Sequence, residues 1–348
     1  MTTNHETRAS TPALQHVAPG IWGLRNVFVN LYYVRNPDDP TAPWVLVDAG
    51  LPGAGPKLHR TAVELFGPDN PPAAILLTHG HFDHVGALGH LLVAWPHVPV
   101  YAHPLELPYL TGRSSYPPPD PTVGKGAMAA LSFLYPKKPI DLGSRVQALP
   151  ADGTMPHLPG WRWVHTPGHT FGHVSFFRET DHVLLAGDAF VTVQAESGLA
   201  TLTQKQEVHG PPAYFTPDWE HARHSVALLA GLNPAVAATG HGIAMRGDEL
   251  RQQLADLVHH FAEKAVPAQG RYVGRPAEAN ETGVTHVPPR MGSAVPGWAW
   301  GLAGAALAVA GSMLWTRNSA ASRAARPGPR LYRAGAPGSA PRPAYQEW

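Results

Sequence analysis

The chain contains no cysteine. That excludes disulfides, thiolate metal sites and cysteine nucleophiles. It fits a reducing compartment without requiring one. Charge of one sign is also lacking: 26 Lys and Arg face 25 Asp and Glu, for a net charge of +1. No overall field therefore marks a nucleic-acid binder. Residues 1–19 are polar and have no apolar stretch. They read as a leader rather than a secretory signal. No short-period repeat is visible.

What is present suits a globular chain. The 348 residues are 44% hydrophobic, ample for a sizeable core in one large domain or two small ones. Residues 21–25 and 27–34 have the β-branched and aromatic content of strands, and 44–48, 73–77 and 98–102 are short buried-strand patterns. Segments 58–66 and 86–95 between them are helical. Further strands are expected at 161–165, 174–177, 183–186 and 235–239, with helices at 219–232 and 248–264. This alternation predicts an α/β layering of sheets covered by helices. Residues 104–141 break the rhythm with a stiff proline cluster (117–119 and 121) and an apolar patch at 126–134. Such a segment reads either as a lid over a site or as a surface insertion packed on the core.

Histidine is abundant, at 21 residues, so only its arrangement is informative. Four potential ligands, His79, His81, Asp83 and His84, fall in Thr78-His79-Gly80-His81-Phe82-Asp83-His84 at the end of a buried strand. Three more stand at other strand ends: His169 after Pro167-Gly168, Asp188 after Gly187, and His241 between Gly240 and Gly242. Five imidazoles and two carboxylates suit zinc, manganese or iron, and are enough for two ions with positions left open. Tyr116, His173 and Tyr214 are candidates for a surrounding substrate pocket, each with a structural role as the blander reading.

This pattern, H-x-H-x-D-H followed by His, Asp and His in order, resembles the metallo-β-lactamase superfamily over residues 20–245. It is closest in kind to a general hydrolase branch like the glutathione-thioester hydrolases. The resemblance implies an αββα sandwich within 20–265. It also implies one ion on His79, His81 and His169, a second on Asp83, His84 and His241, and Asp188 bridging them. Asp48, in Val47-Asp48-Ala49-Gly50, matches an acidic turn that orients ligands from behind. The implied chemistry is hydrolysis of a small ester, thioester or lactone by a water that two zinc ions acidify, with Asp83 shuttling a proton. Phosphodiester hydrolysis, including nucleic-acid processing, is the alternative hydrolase. A mononuclear iron persulfide dioxygenase and a non-enzymatic, membrane-anchored binding protein are further readings. The stretch 209–219 resembles an uncharacterised branch of general metallo-hydrolases.

Residues 294–315 are apolar or small, about the length needed to cross a bilayer, with Trp298 and Trp300 at one end and Trp315 at the other. They read as a C-terminal transmembrane helix after a linker at 266–293. The tail 316–348 carries Arg317, Arg323, Arg326, Arg330 and Arg333 and reads as a basic disordered segment. The basic tail favours a cytoplasmic end. With no export signal on the large domain, the expectation is a cytoplasmic catalytic domain anchored by its C-terminus.

Overall fold

The computed structural model describes residues 14–290 apart from Lys125. A seven-stranded sheet runs in chain order through β1 (Leu14–Ala18), β2 (Ile21–Asn26), β3 (Val29–Arg35), β4 (Trp44–Val47), β5 (Ala74–Leu76), β6 (Val100–Ala102) and β7 (Val146–Ala148). The first four strands meander antiparallel, and β4 to β7 are parallel. Parallel neighbours need crossovers. Here α1 (Gly55–Phe66) joins β4 to β5, and α2 (Phe82–Val85) with α3 (Leu88–Ala94) joins β5 to β6. The crossover from β6 to β7 is the 104–141 segment. The second sheet contains β8 (Trp161–His165), β9 (Val174–Arg178), β10 (Val183–Gly187), β11 (Val236–Thr239) and β12 (Met245–Arg246) in spatial order β12-β11-β10-β9-β8. Its one parallel pair is β10 with β11.

Burial shows why these strands are apolar throughout rather than alternating. All four residues of β4 and all five of β10 are buried, because both faces of each sheet are covered. Between the sheets, Val34, Val45 and Leu76 meet Phe176 and Leu185. On the outer face of the first sheet, Tyr33, Trp44 and Leu46 pack with Leu58 of α1 and Leu91 of α3. On the outer face of the second, Phe177 and Leu184 pack with Val226 and Leu229 of helix Trp219–Gly231 and with Leu250 of helix Gly247–His259. Each such fully buried side chain contributes roughly 1.5–3 kcal/mol. The layer order is helix, sheet, sheet, helix, which is the expected αββα sandwich.

The boundaries differ from expectation at both ends of the domain. Residues 14–18, assigned to the polar leader, form β1 and pair with β2. The half-buried sequence LQHVA is too short to stand out alone. Residues 266–290, assigned to a linker, are folded onto the domain. Arg271, Tyr272 and Ala277 are buried, and β13 (Glu278–Asn280) pairs with β14 (Gly283–His286). Side-chain bonds hold this segment: Tyr272 Oη donates to Pro118 O at 2.6 Å and Gln269 Nε2 to Thr122 O at 3.1 Å. The apolar patch at 126–134 forms one short helical turn, Ala127–Ala130, followed by a 3₁₀ turn, Ser132–Leu134. The helix expected over 248–264 breaks at His260. Residues 1–13 and 291–348 lie outside the described residues, and with them the rest of the leader, the 294–315 membrane helix and the basic tail. Among the described residues, no helix is long and apolar enough to cross a membrane.

Candidate metal centre

The carboxyl ends of the parallel strands β4, β5, β10 and β11 come together at one edge of the sandwich. Asp48 follows β4, His79 to His84 follow β5, Asp188 follows β10 and His241 follows β11. His169 sits on the loop from β8 to β9. Backbone bonds tie the two sheets there. Val174 N donates to Thr78 O at 2.9 Å, and Asn30 N to Gly240 O at 2.7 Å. The Asn30 side chain adds bonds to Thr239 O and Gly242 O, which fix the loop that presents His241.

The structure brings all seven expected residues into one buried cluster. Three overlapping groups have ligand atoms within 4.8 Å of one another: His79, His81 and His169; His79, His84 and Asp188; and Asp83, His84 and His241. Asp188 connects the first and last. Its Oδ2 lies 3.5 Å from His169 Nε2, 3.6 Å from His84 Nε2 and 3.1 Å from His241 Nε2. Asp83 Oδ2 is 3.6 Å from His241 Nε2.

The hydrogen bonds behind these rings fix which nitrogen faces inward. Thr78 Oγ1 gives its proton to Asp48 Oδ2 at 2.8 Å, so His79 Nδ1–H must donate to Thr78 Oγ1, at 3.0 Å. His79 Nε2 is then left as a lone pair aimed at the cluster. His241 Nδ1 donates to Phe28 O at 2.9 Å, and its ring stacks on Phe28. His84 Nδ1 meets Asp48 Oδ2 at 2.8 Å. Asp48 also accepts from Thr78 N at 2.9 Å, and these bonds hold it in a left-handed conformation, φ 62°. That conformation costs about 1 kcal/mol for a non-glycine residue and is tolerated best by Asn and Asp. The expected orienting role of Asp48 agrees with this geometry.

Two observations fit the cluster to metal ions. First, buried polar atoms normally find partners. Here His79 Nε2, His84 Nε2 and Asp188 Oδ1 have none. Second, every ion pair formed by Asp48, Asp83 and Asp188 among the described residues is with a histidine, never with Lys or Arg. Three buried carboxylates without a fixed cation make a well for divalent ions.

Protonation divides the cluster. Burial, reinforced by neighbouring imidazoles, drives His79 and His169 well below the ordinary histidine value and His81 to about 3. Burial also opposes charge on His84 and His241, but Asp48 and Asp188 outweigh it at His84, and Asp188 at His241, so both are raised. Burial pushes the Asp83 carboxyl up. For Asp188, His241 and His84 outweigh burial and hold it well down.

Close packing leaves the cluster little slack. A Cβ on Gly240 would lie 1.9 Å from Asp188 Oδ1 and 2.9 Å from His84 Cε1. Gly240→Ala is expected to displace Asp188 and cut kcat by about 10²-fold, the scale of a 1 Å misplacement. Steady-state kinetics beside a thermal melt checks this: unchanged kcat in a folded variant would show that the loop gives way instead.

Of the expected pocket residues, only Tyr116 lines the cleft beside His81 and His169. His173 and Tyr214 do not. His173 is fully buried behind the cluster, where Nδ1 bonds Thr166 Oγ1 at 2.8 Å and Nε2 accepts from Asp188 N at 2.9 Å. Burial drives it to about 3, so it is the neutral acceptor this bond requires. Tyr214 is turned into the core against Tyr135 and Phe215. The cleft wall was largely missed from sequence: Pro117, Pro118, Thr170, Phe171, Phe215, Pro217 and Tyr272 complete it, with Phe215 stacked on His81 at 4.5 Å. No Lys, Arg, Asp or Glu lines it among the described residues. Its free volume is about 10 Å³, room for roughly one water. Glu106 was also missed. Its signal was a lone acid in the apolar run Pro104-Leu105-Glu106-Leu107-Pro108.

The fold and this ligand cluster define a metallo-hydrolase. Residues 24–241 match the family model of the metallo-beta-lactamase superfamily, and the chain belongs to that superfamily. Among its relatives is the probable metallo-hydrolase YflN of Bacillus subtilis (strain 168), 48% identical over 70% of this chain and 92% of that protein. A hydroxyacylglutathione hydrolase of Erwinia tasmaniensis is 30% identical over 42% of each chain. A solved B3 metallo-beta-lactamase with an active-site glutamic acid shares the fold at 17% identity and a TM-score of 0.50, covering 73% of this chain and 91% of that one.

Proposed function

We propose that the protein is a dinuclear metal-dependent hydrolase of small esters, thioesters or lactones whose acyl part is neutral and apolar. The observation that carries this is the overlap of the three ligand groups, the middle one, His79, His84 and Asp188, sharing His79 with one neighbour and His84 with the other. His79, His81 and His169 would hold one ion, and Asp83, His84 and His241 the other, with Asp188 shared. Zinc suits this donor set, as do manganese and iron. Two such ions, when bound, supply Lewis acidity to a carbonyl and bring the pKa of water near neutrality. The chain's own residues do the rest. Asp48 and Phe28 O orient His84 and His241 from behind. Asp83 would hold the second ion through one carboxylate oxygen, and its other oxygen is placed to pass a proton to the leaving group.

The cleft wall supports the substrate class. Tyr116, Pro117, Phe171, Phe215 and Tyr272 flank His81 and His169 with apolar side chains, which favours an apolar acyl part. The test is metal content per chain, run beside a panel of aryl ester, lactone, glutathione thioester and phosphodiester. About two ions and turnover of the neutral ester or lactone is the expected result. One iron with no hydrolysis would point instead to the persulfide dioxygenase reading. A chain that binds metal but turns over only phosphodiesters would overturn the substrate class.

Membrane attachment rests on the sequence of residues 294–315 alone. Deleting 292–348 is expected to move the protein from the membrane to the soluble fraction with kcat unchanged. Full-length protein that is soluble without detergent would remove the anchor.

A further inference from the structure

We infer that Glu106 is a positioning residue for the metal centre, a buried carboxylate that locks the two histidine-bearing loops to each other and to the cleft wall. It rests on the proposed ion site at His79, His81 and His169. Those ligands sit on separate loops: His79 and His81 follow β5 of the first sheet, and His169 precedes β9 of the second. Glu106 is fully buried where the loops meet. Its Oε2 accepts from Gly80 N at 2.9 Å and from the Tyr116 hydroxyl. Its Oε1 accepts from the Thr170 hydroxyl at 2.7 Å and from Gly172 N at 2.9 Å. Gly80 lies between two of the ligands, and Thr170 follows the third. Tyr116 packs against His81 with ring centroids 4.6 Å apart and planes inclined at 59°.

This arrangement saturates the carboxylate. An ionised carboxylate offers about four lone-pair sites, and four donors occupy them. All four donors are neutral, and Glu106 makes no ion pair among the described residues, although burial alone pushes its carboxyl up. A buried acid with no cation is expensive unless every lone pair is used. The fit is also tight: a Cβ on Gly172 would lie 2.8 Å from Glu106 Cγ. One side chain that bonds none of the three imidazoles therefore joins the loops that carry them.

Glu106→Gln tests the role, because glutamine keeps the shape but turns one acceptor into a donor. Whichever way the amide points, its NH₂ faces two of the four donors. Zinc affinity of the metal-free protein is measured by chelator competition, which resolves the first and second ion. The expected result is a 10- to 100-fold weaker first ion with the second little changed, the scale found when groups behind metal ligands are altered. Tyr116→Phe and Thr170→Val each remove a single donor and should fold normally with a smaller loss at the same step. Wild-type affinity for both ions in Glu106→Gln, or equal losses at both steps with a lowered melting temperature, would reduce Glu106 to a core staple and overturn the inference. Wild-type protein that binds no zinc would overturn the proposed centre and this inference together.

Discussion

Asp188→Asn is expected to lower zinc content from about two ions per chain to one or fewer, and to cut kcat by more than about 100-fold. The benchmark is the 10- to 100-fold cost of altering partners behind metal ligands; a group shared between two ions should exceed it. Asparagine matches aspartate in size, and the bond from the residue 188 backbone to His173 does not involve the side chain. The fold should therefore persist, and circular dichroism with metal analysis on the same sample checks both points. The variant loses the charge and one of the two oxygens of the carboxylate whose Oδ2 lies within 3.6 Å of His169, His84 and His241. Full activity with two ions bound would mean that Asp188 is only a neighbour of the centre.

The second large effect concerns pH. In the metal-free protein His79, His81 and His169 are neutral at pH 7, because burial has lowered all three. An ion can bind them without displacing a proton. His84 and His241 are raised, chiefly by their carboxylate neighbours against the cost of burial, and hold protons near neutrality. An ion on Asp83, His84 and His241 must expel them. The first ion should therefore bind with little pH dependence between about pH 6 and 8, while the second gains up to tenfold in affinity per pH unit for each proton displaced. Calorimetry in buffers of different ionisation enthalpy counts those protons directly. Equal proton release for both ions would contradict the division.

The same shifts set metal-free stability. The three lowered histidines bind protons in the unfolded chain below about pH 6.5 but not in the folded one until far lower, to about 3 for His81, so stability falls as pH drops through that window. His84 and His241 have the opposite sign. Their contribution is complete below about pH 6.5 and is lost as pH rises through their raised folded values. Chelator-treated protein should be most resistant to urea near that pH.

The residues of the buried His and Asp cluster were legible in the sequence because each is announced locally. A short apolar strand ends, a glycine or proline opens the turn, and a His or Asp follows. The central strands were legible for the same reason, since burial on both faces leaves unbroken apolar runs such as β4 and β10. What was not legible depends on partners distant in sequence. His173 has the composition of a pocket residue, yet its ring is spent on the backbone of Asp188. Glu106 looks like any acid until residues 80, 116, 170 and 172 surround it. β13 and β14 are polar and short, and the 266–290 segment is held on the domain by bonds to Ser114, Pro118, Thr122 and Pro217 and by apolar packing of Tyr272 and Ala277, all distant in sequence. The break at His260 leaves no mark in the hydrophobic periodicity of 248–264.

The crossover between β6 and β7 contributes both the apolar wall at 116–118 and the carboxylate at 106. Variation in this segment is therefore not free to explore new substrates, because a change that reshapes the Tyr116 side of the cleft also disturbs the carboxylate holding the histidine loops. Phe171 and Tyr272 line the cleft, and among the described residues neither side chain bonds Glu106 or the histidine cluster. Retuning toward a different acyl group, in a laboratory selection or over natural divergence, should accumulate at those two positions first and reach residue 116 last.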